Sequence, residues 1–117
     1  MFFTSIFRWK HKAALVFDDS VPASWTDLDL SSVVGKRHAL VMLKIEYTAG
    51  NPTAMYFRTN GETQEVAGDA EHAAGNNIIY MSSDKICNLV LETDANGIIE
   101  WYVVFGTSAK IYVMGFV

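Results

Sequence analysis

Two runs near the end of the chain, Ile98-Ile99-Glu100-Trp101-Tyr102-Val103-Val104-Phe105 and Lys110-Ile111-Tyr112-Val113-Met114-Gly115-Phe116-Val117, carry apolar side chains at odd and even positions alike. Successive side chains of a strand point to opposite sides, so a strand of a solvated sheet needs only one apolar face. A strand that is apolar on both faces needs cover on both. One face of each run is expected to meet a second layer of the same fold, and the other to meet further protein. Between the runs stand Gly106-Thr107-Ser108-Ala109, and before them Asp94-Ala95-Asn96-Gly97, both turn sequences.

The rest of the chain reads the same way. Ala13 to Phe17 is a short apolar run closed by Asp18-Asp19-Ser20 and Pro22. From Trp25 to Leu30 the pattern alternates, with Thr26, Leu28 and Leu30 on one face and Trp25, Asp27 and Asp29 on the other. Ser31 to Arg37 reads as a loop or a single helical turn. His38 to Thr48 is the longest predicted strand, with Ala39, Val41, Leu43, Ile45 and Tyr47 on one face. Ala54 to Thr59 follows, and Asn60-Gly61 predicts a hairpin with a short return strand from Thr63 to Val66. Residues 67–77 are small and polar and form the longest predicted loop. Ile78 to Ser82 and Ile86 to Thr93 complete the set, and Asp94 to Gly97 predicts a second hairpin. About eight strands at spacings near ten residues, with no amphipathic helix, predict an all-β fold: an antiparallel β-sandwich or jelly roll.

Composition narrows the class of function. A chain of 117 residues forms one domain with one core. Its charged fraction of 19% falls below the roughly 25% of ordinary soluble domains. Such a deficit is expected where neighbours cover part of the surface. Residues 1–12 hold Arg8, Lys10 and Lys12 and no acid, whereas the whole chain has 9 basic against 13 acidic groups. The body is therefore acidic, which disfavours nucleic acid as the main partner, because phosphate contacts need clustered Lys and Arg. Cys87 is the only cysteine, so no internal disulfide and no cysteine metal cage can form, and it reads as a packed apolar thiol. Met1 to Phe7 does not read as a signal peptide, and no apolar stretch approaches the ~20 residues of a membrane span.

Reactive constellations are weak. Asp27 and Asp29 share a face beside Trp25, which reads as a solvated strand face rather than as the paired carboxylates of a glycoside hydrolase. No Gly-x-Ser-x-Gly elbow is present, and His11, His38 and His72 stand in unrelated contexts. Asp69, Glu71 and His72 cluster in the long loop, and Asp18 pairs with Asp19; calcium sites in β-sandwich loops use such carboxylates, but both groups read as ordinary solvated loop, and Asp94 to Gly97 lacks the glutamate of an EF-hand loop. No catalytic residue, metal site or cofactor is assigned, and no enzymatic activity is expected. Exposed aromatic rings can stack on sugars, and Trp25 and Tyr56 are the glycan-contact candidates.

The stretch Trp25-Thr26-Asp27-Leu28-Asp29-Leu30-Ser31-Ser32-Val33-Val34-Gly35, followed by Arg37-His38-Ala39-Leu40-Val41, resembles a pattern in small virion proteins of tailed bacteriophages. There a tryptophan-led strand and a valine-glycine turn precede a long apolar strand. Phe57-Arg58-Thr59-Asn60-Gly61-Glu62, Thr93 to Trp101 and the finish Met114-Gly115-Phe116-Val117 are similar in kind. The resemblance implies a β-sandwich that decorates a capsid or builds part of a head, neck, tail or fibre. Such a subunit is a symmetric homo-oligomer that contacts other virion proteins and is made in the host cytoplasm. Its motifs are structural and carry over no active residue. Residues 1–12 are expected either to form an arm reaching a neighbour or to lie as an edge strand of their own domain, with 13–117 a single sandwich domain. The expected interface residues are Phe2, Phe3, Phe7 and Trp9 of the arm, with Trp101, Tyr112 and Phe116 of the terminal strands, since buried rings anchor interfaces. A carbohydrate-binding module for host-surface glycans is the alternative.

Overall fold

The computed structural model describes residues 7–63, 77–82 and 85–117. Among them are eight strands and one helical turn: β1 (Arg8–Ser20), β2 (Thr26–Asp29), α1 (Ser31–Val34), β3 (Leu40–Ala49), β4 (Thr53–Thr59), β5 (Asn77–Met81), β6 (Lys85–Glu92), β7 (Ile98–Val103) and β8 (Ser108–Phe116). They form two four-stranded sheets of order β1-β8-β3-β6 and β2-β7-β4-β5, and every pairing is antiparallel. The pairs β1·β8, β2·β7, β3·β6 and β4·β5 nest like one long hairpin. Rolling that hairpin over itself adds β3·β8 and β4·β7, which gives the eight-stranded jelly roll.

The alternation read from the sequence sets what lies between the sheets. Val41, Leu43, Ile45 and Tyr47 of β3 are wholly buried, and Ala109, Ile111 and Val113 of β8 lie beside them. From the second sheet come Leu28, Ile99, Trp101, Val103, Met55 and Phe57. Trp101 links the layers: its ring stacks on Phe57 of its own sheet at 5.5 Å and meets the edge of Phe17, from β1 of the facing sheet, at 4.9 Å. Each large side chain buried this way contributes about 1.5–3 kcal/mol before ordering costs.

Several sequence expectations change. β1 begins at Arg8, so residues 8–12 of the expected arm lie in a strand, with Arg8 opposite Phe116 and Trp9 opposite Gly115 before an irregularity restores pairing at Ala14. Asp94 to Gly97 is a reversal but not a hairpin, because β6 and β7 leave it for opposite sheets. Gly97 takes φ 78° there, and a Cβ would fall 2.5 Å from the Gly35 carbonyl oxygen, so this turn packs directly on the exit of α1. Asn60-Gly61 closes a turn in which the Glu62 N–H donates to the Thr59 carbonyl at 3.2 Å. Thr63 then lies outside any strand, and the rest of the expected return strand lies outside the described residues. The partner of β4 on that side is β5. β7 stops at Val103, so Val104 and Phe105 belong to a loop.

The topology sorts the connections into two ends. Residues 21–25, 50–52 and 104–107, with Ser82, lie at one end; residues 30–39, 60–63 and 93–97 lie at the other. Backbone bonds lace the first group together: Val21 N–H to Thr107 O at 3.1 Å, Val103 N–H to Pro22 O at 2.9 Å and Val104 N–H to Ala54 O at 3.1 Å.

Candidate functional site

On the outer face of the β2-β7-β4-β5 sheet the register brings three aromatic rings into one row. Tyr56 and Tyr102 are direct cross-strand partners and stack at 4.7 Å with planes 10° apart, and Trp25, just before β2, meets Tyr102 edge to face at 4.7 Å. Below the row, Asp27, Glu100 and Arg58 stand on adjacent strands. Arg58 Nε donates to Glu100 Oε1, and its guanidinium lies 3.7 Å from the centroid of the Trp25 ring. Both side chains of this ion pair are nearly buried, at 10% and 12% exposure. The two glycan-contact candidates therefore share a surface, but both give ring area to neighbours: Trp25 to Arg58 and Tyr102, Tyr56 to Tyr102.

Where the row reaches the end of the sandwich, the surface is grooved, and the groove beside Tyr80 is mainly apolar. A groove of about 620 Å³ is lined by Ala54, Tyr56, Tyr80, Val104 and Phe105 among others, and one of about 500 Å³ lies beyond Val104 and Phe105, against Val21, Ala23 and Gly50. Phe105 is 70% exposed and Tyr80 77%. The Phe105 backbone is held from two sides: its N–H donates to Thr53 Oγ1 at 2.9 Å, and its carbonyl lies 3.2 Å from the Tyr47 hydroxyl, which also reaches Asn51 O at 2.8 Å.

The opposite end is polar. His38, Glu62, Glu92 and Asp94 line a cleft of about 410 Å³, and His38 Nδ1 sits 3.4 Å from Glu92 Oε1. Asp94 Oδ1 accepts the N–H groups of Asn96 at 2.8 Å and Ile98 at 3.0 Å, and Oδ2 accepts Asn60 Nδ2 at 2.9 Å. Burial alone would raise its pKa, but these bonds and the nearby His38 outweigh it and hold the carboxyl below its usual range. Asp29 is also held low, first by the Ser31 hydroxyl and then by the Ser31 N–H at 2.8 Å. A carboxyl held this way stays ionised at neutral pH and is poorly suited to donate a proton. Burial pushes the Cys87 thiol up, against the reactive thiolate. Among the described residues no group of three or more His, Cys, Asp or Glu side chains is arranged to hold a metal ion, and no helix is long and apolar enough to cross a membrane. The acidic cluster at 69–72 lies outside the described residues.

The expected interface residues scatter. Trp101 is 1% exposed and belongs to the core: its face of β7 points to the facing sheet, so it cannot touch a partner. Phe116 packs partly against the core with the Arg37 guanidinium 5.6 Å from its ring, and Tyr112 is half-buried on the outer face. Trp9 is 65% exposed and meets Phe7 edge to face at 5.1 Å; Phe2 and Phe3 lie outside the described residues. Sequence reading missed Tyr80, Tyr102 and Phe105, and it weighed Arg58 only as a weak basic-aromatic signal beside Tyr56 and Phe57. The signal for Phe105 was the glycine after it, which ends the strand and leaves an oily residue on the turn.

Comparison with protein-family models and with curated proteins gives no match for this chain.

Proposed function

We propose that the protein is a non-enzymatic structural subunit that assembles with copies of itself, and that it serves in a virion as capsid decoration or as a head, neck or tail component. The observation that carries assembly is the exterior. Trp9, Leu15, Tyr80 and Phe105 are each more than half exposed, on a molecule in which charged residues make up only 19%. Patches of this kind mark surfaces that meet other protein. The virion setting rests on the resemblance of the Trp25–Val41 and Thr93–Trp101 stretches. Light scattering on the purified chain tests assembly: a stable oligomer is expected, and a monomer at every workable concentration overturns the reading.

A second reading, recognition of host-surface glycans, is favoured by one observation. Tyr56 belongs both to the aromatic row with Trp25 and to the groove beside Tyr80. Binding on a glycan array that disappears in Tyr56→Ala and Trp25→Ala variants is its expected outcome; no binding by the assembled protein removes it.

A further inference from the structure

We infer that the loop end of the sandwich is where two copies of this chain meet, Phe105 of each entering the groove beside Tyr56 and Tyr80 of the other. This rests on the assembly reading and names its surface. Three observations carry it. First, a projecting ring and a hollow lie side by side: Val104 and Phe105 line both grooves, of about 500 and 620 Å³, and Phe105 stands between them 70% exposed. A knob and a hole on one patch are what a two-fold contact requires, since the same patch serves both subunits.

Second, the knob is fixed in place. Phe105 N–H donates to Thr53 Oγ1, its carbonyl faces the Tyr47 hydroxyl, and Val104 N–H donates to Ala54 O. An exposed ring on an already ordered backbone loses less freedom on association than one on a mobile loop.

Third, the surface is uncharged among the described residues. No described residue lining either groove is Lys, Arg, Asp or Glu, and the loops 21–25, 50–52 and 104–107 contain none. The far end presents Glu62, Glu92 and Asp94 together with Lys36 and Arg37. Two copies approaching by the far end would have to take charged groups out of water, whereas the described surface at the loop end carries none. The sizes also agree: two aromatics from each subunit, at roughly 150–250 Å² apiece and about three-quarters exposed, supply about a third of the ~1,200–2,000 Å² of a stable interface, and the surrounding loops can supply the rest.

Sedimentation analysis of four forms, each checked for native circular dichroism, tests this: the unmodified chain, Phe105→Asp, Tyr80→Asp, and Leu15→Asp on the other sheet. The expected result is an oligomer that Phe105→Asp and Tyr80→Asp weaken about thirtyfold or more while Leu15→Asp leaves it intact. If the unmodified chain assembles and only Leu15→Asp disrupts it, the loop end is not the contact, although the assembly reading stands. An unmodified chain that is monomeric overturns both. If Phe105→Asp abolishes binding to a glycan array while the oligomer persists, the groove is a sugar site and the inference fails.

Discussion

Thr93 shows how much one hydroxyl can carry in this fold. It is fully buried where β6 leaves its sheet. Its Oγ1 accepts the Ala39 N–H at 2.9 Å, and its own proton can go to the Arg37 carbonyl at 2.9 Å or the Asp94 carbonyl at 3.0 Å. Thr93→Val keeps the shape but leaves a buried N–H without a partner, which costs about 1–3 kcal/mol. The denaturation midpoint should fall by a matching amount with an unchanged slope, and Thr93→Ser should keep most of the stability. Asp94, one residue on, makes stability depend on pH. Its folded carboxyl is held below the unfolded value, so its contribution is full above the ordinary carboxylate range and disappears as pH falls through the lowered folded value. Denaturation midpoints measured at neutral pH and at about pH 3 should therefore differ more for the native chain than for Asp94→Asn, whose amide oxygen still accepts the Asn96 and Ile98 N–H groups. An equal acid loss in both would assign the effect to other carboxyls, Asp29 first among them.

At the scale of elements, the β2-β7-β4-β5 sheet is held on its outer face by one nearly buried ion pair, Arg58 with Glu100, under the Trp25 ring. Removing one partner strands the other. Arg58→Met should lose about 3–5 kcal/mol, and adding Glu100→Leu should recover most of it, because an apolar pair of similar size needs no desolvation of charge. Urea unfolding of the two single variants and the double variant measures this; a double variant as weak as Arg58→Met alone would refute the pairing argument. The inward residues of β3 were legible because strand periodicity is two, and Val41, Leu43, Ile45 and Tyr47 all point to the core as the alternation says. The doubly apolar terminal runs also had a cause, though a different one. β7 and β8 are interior strands of their sheets, so neighbours on both sides half-cover their outer faces. Partner identity was not legible. Asp94 to Gly97 encodes a reversal through an Asx turn and a positive-φ glycine, and that chemistry is the same whether the flanking strands pair or part into opposite sheets. The aromatic row was half legible: Trp25 and Tyr56 stood out as aromatics, but their shared neighbour Tyr102 depends on the β4·β7 register, across more than forty intervening residues.

For the whole molecule, the consequence of this topology is that little can form early. β1 pairs with β8 and β2 with β7, so the ends of the described chain must meet before the first sheet closes. Loop-closure entropy is lost before those contacts repay it, and folds dominated by distant pairing form in about milliseconds to seconds. Trp101 offers a reporter, because its ring lies between Phe57 of one sheet and Phe17 of the other and is surrounded only when the layers dock. In a Trp9→Phe, Trp25→Phe background, refolding followed by tryptophan fluorescence should give one exponential in that time range. A full signal change within the mixing time would contradict it. The same logic makes the two termini unequal. β8 lies between β1 and β3 and brings Ala109, Ile111 and Val113 to the core. A chain ending at Thr107 leaves β1 without a partner and β3 with one, and should show no cooperative unfolding transition by circular dichroism. A chain beginning at Arg8 keeps every strand pair of both sheets and should unfold cooperatively near the midpoint of the complete sequence. If the shortened C-terminus still melts cooperatively, β1 and β3 have found another partner, and the central place of β8 in the energetics is wrong.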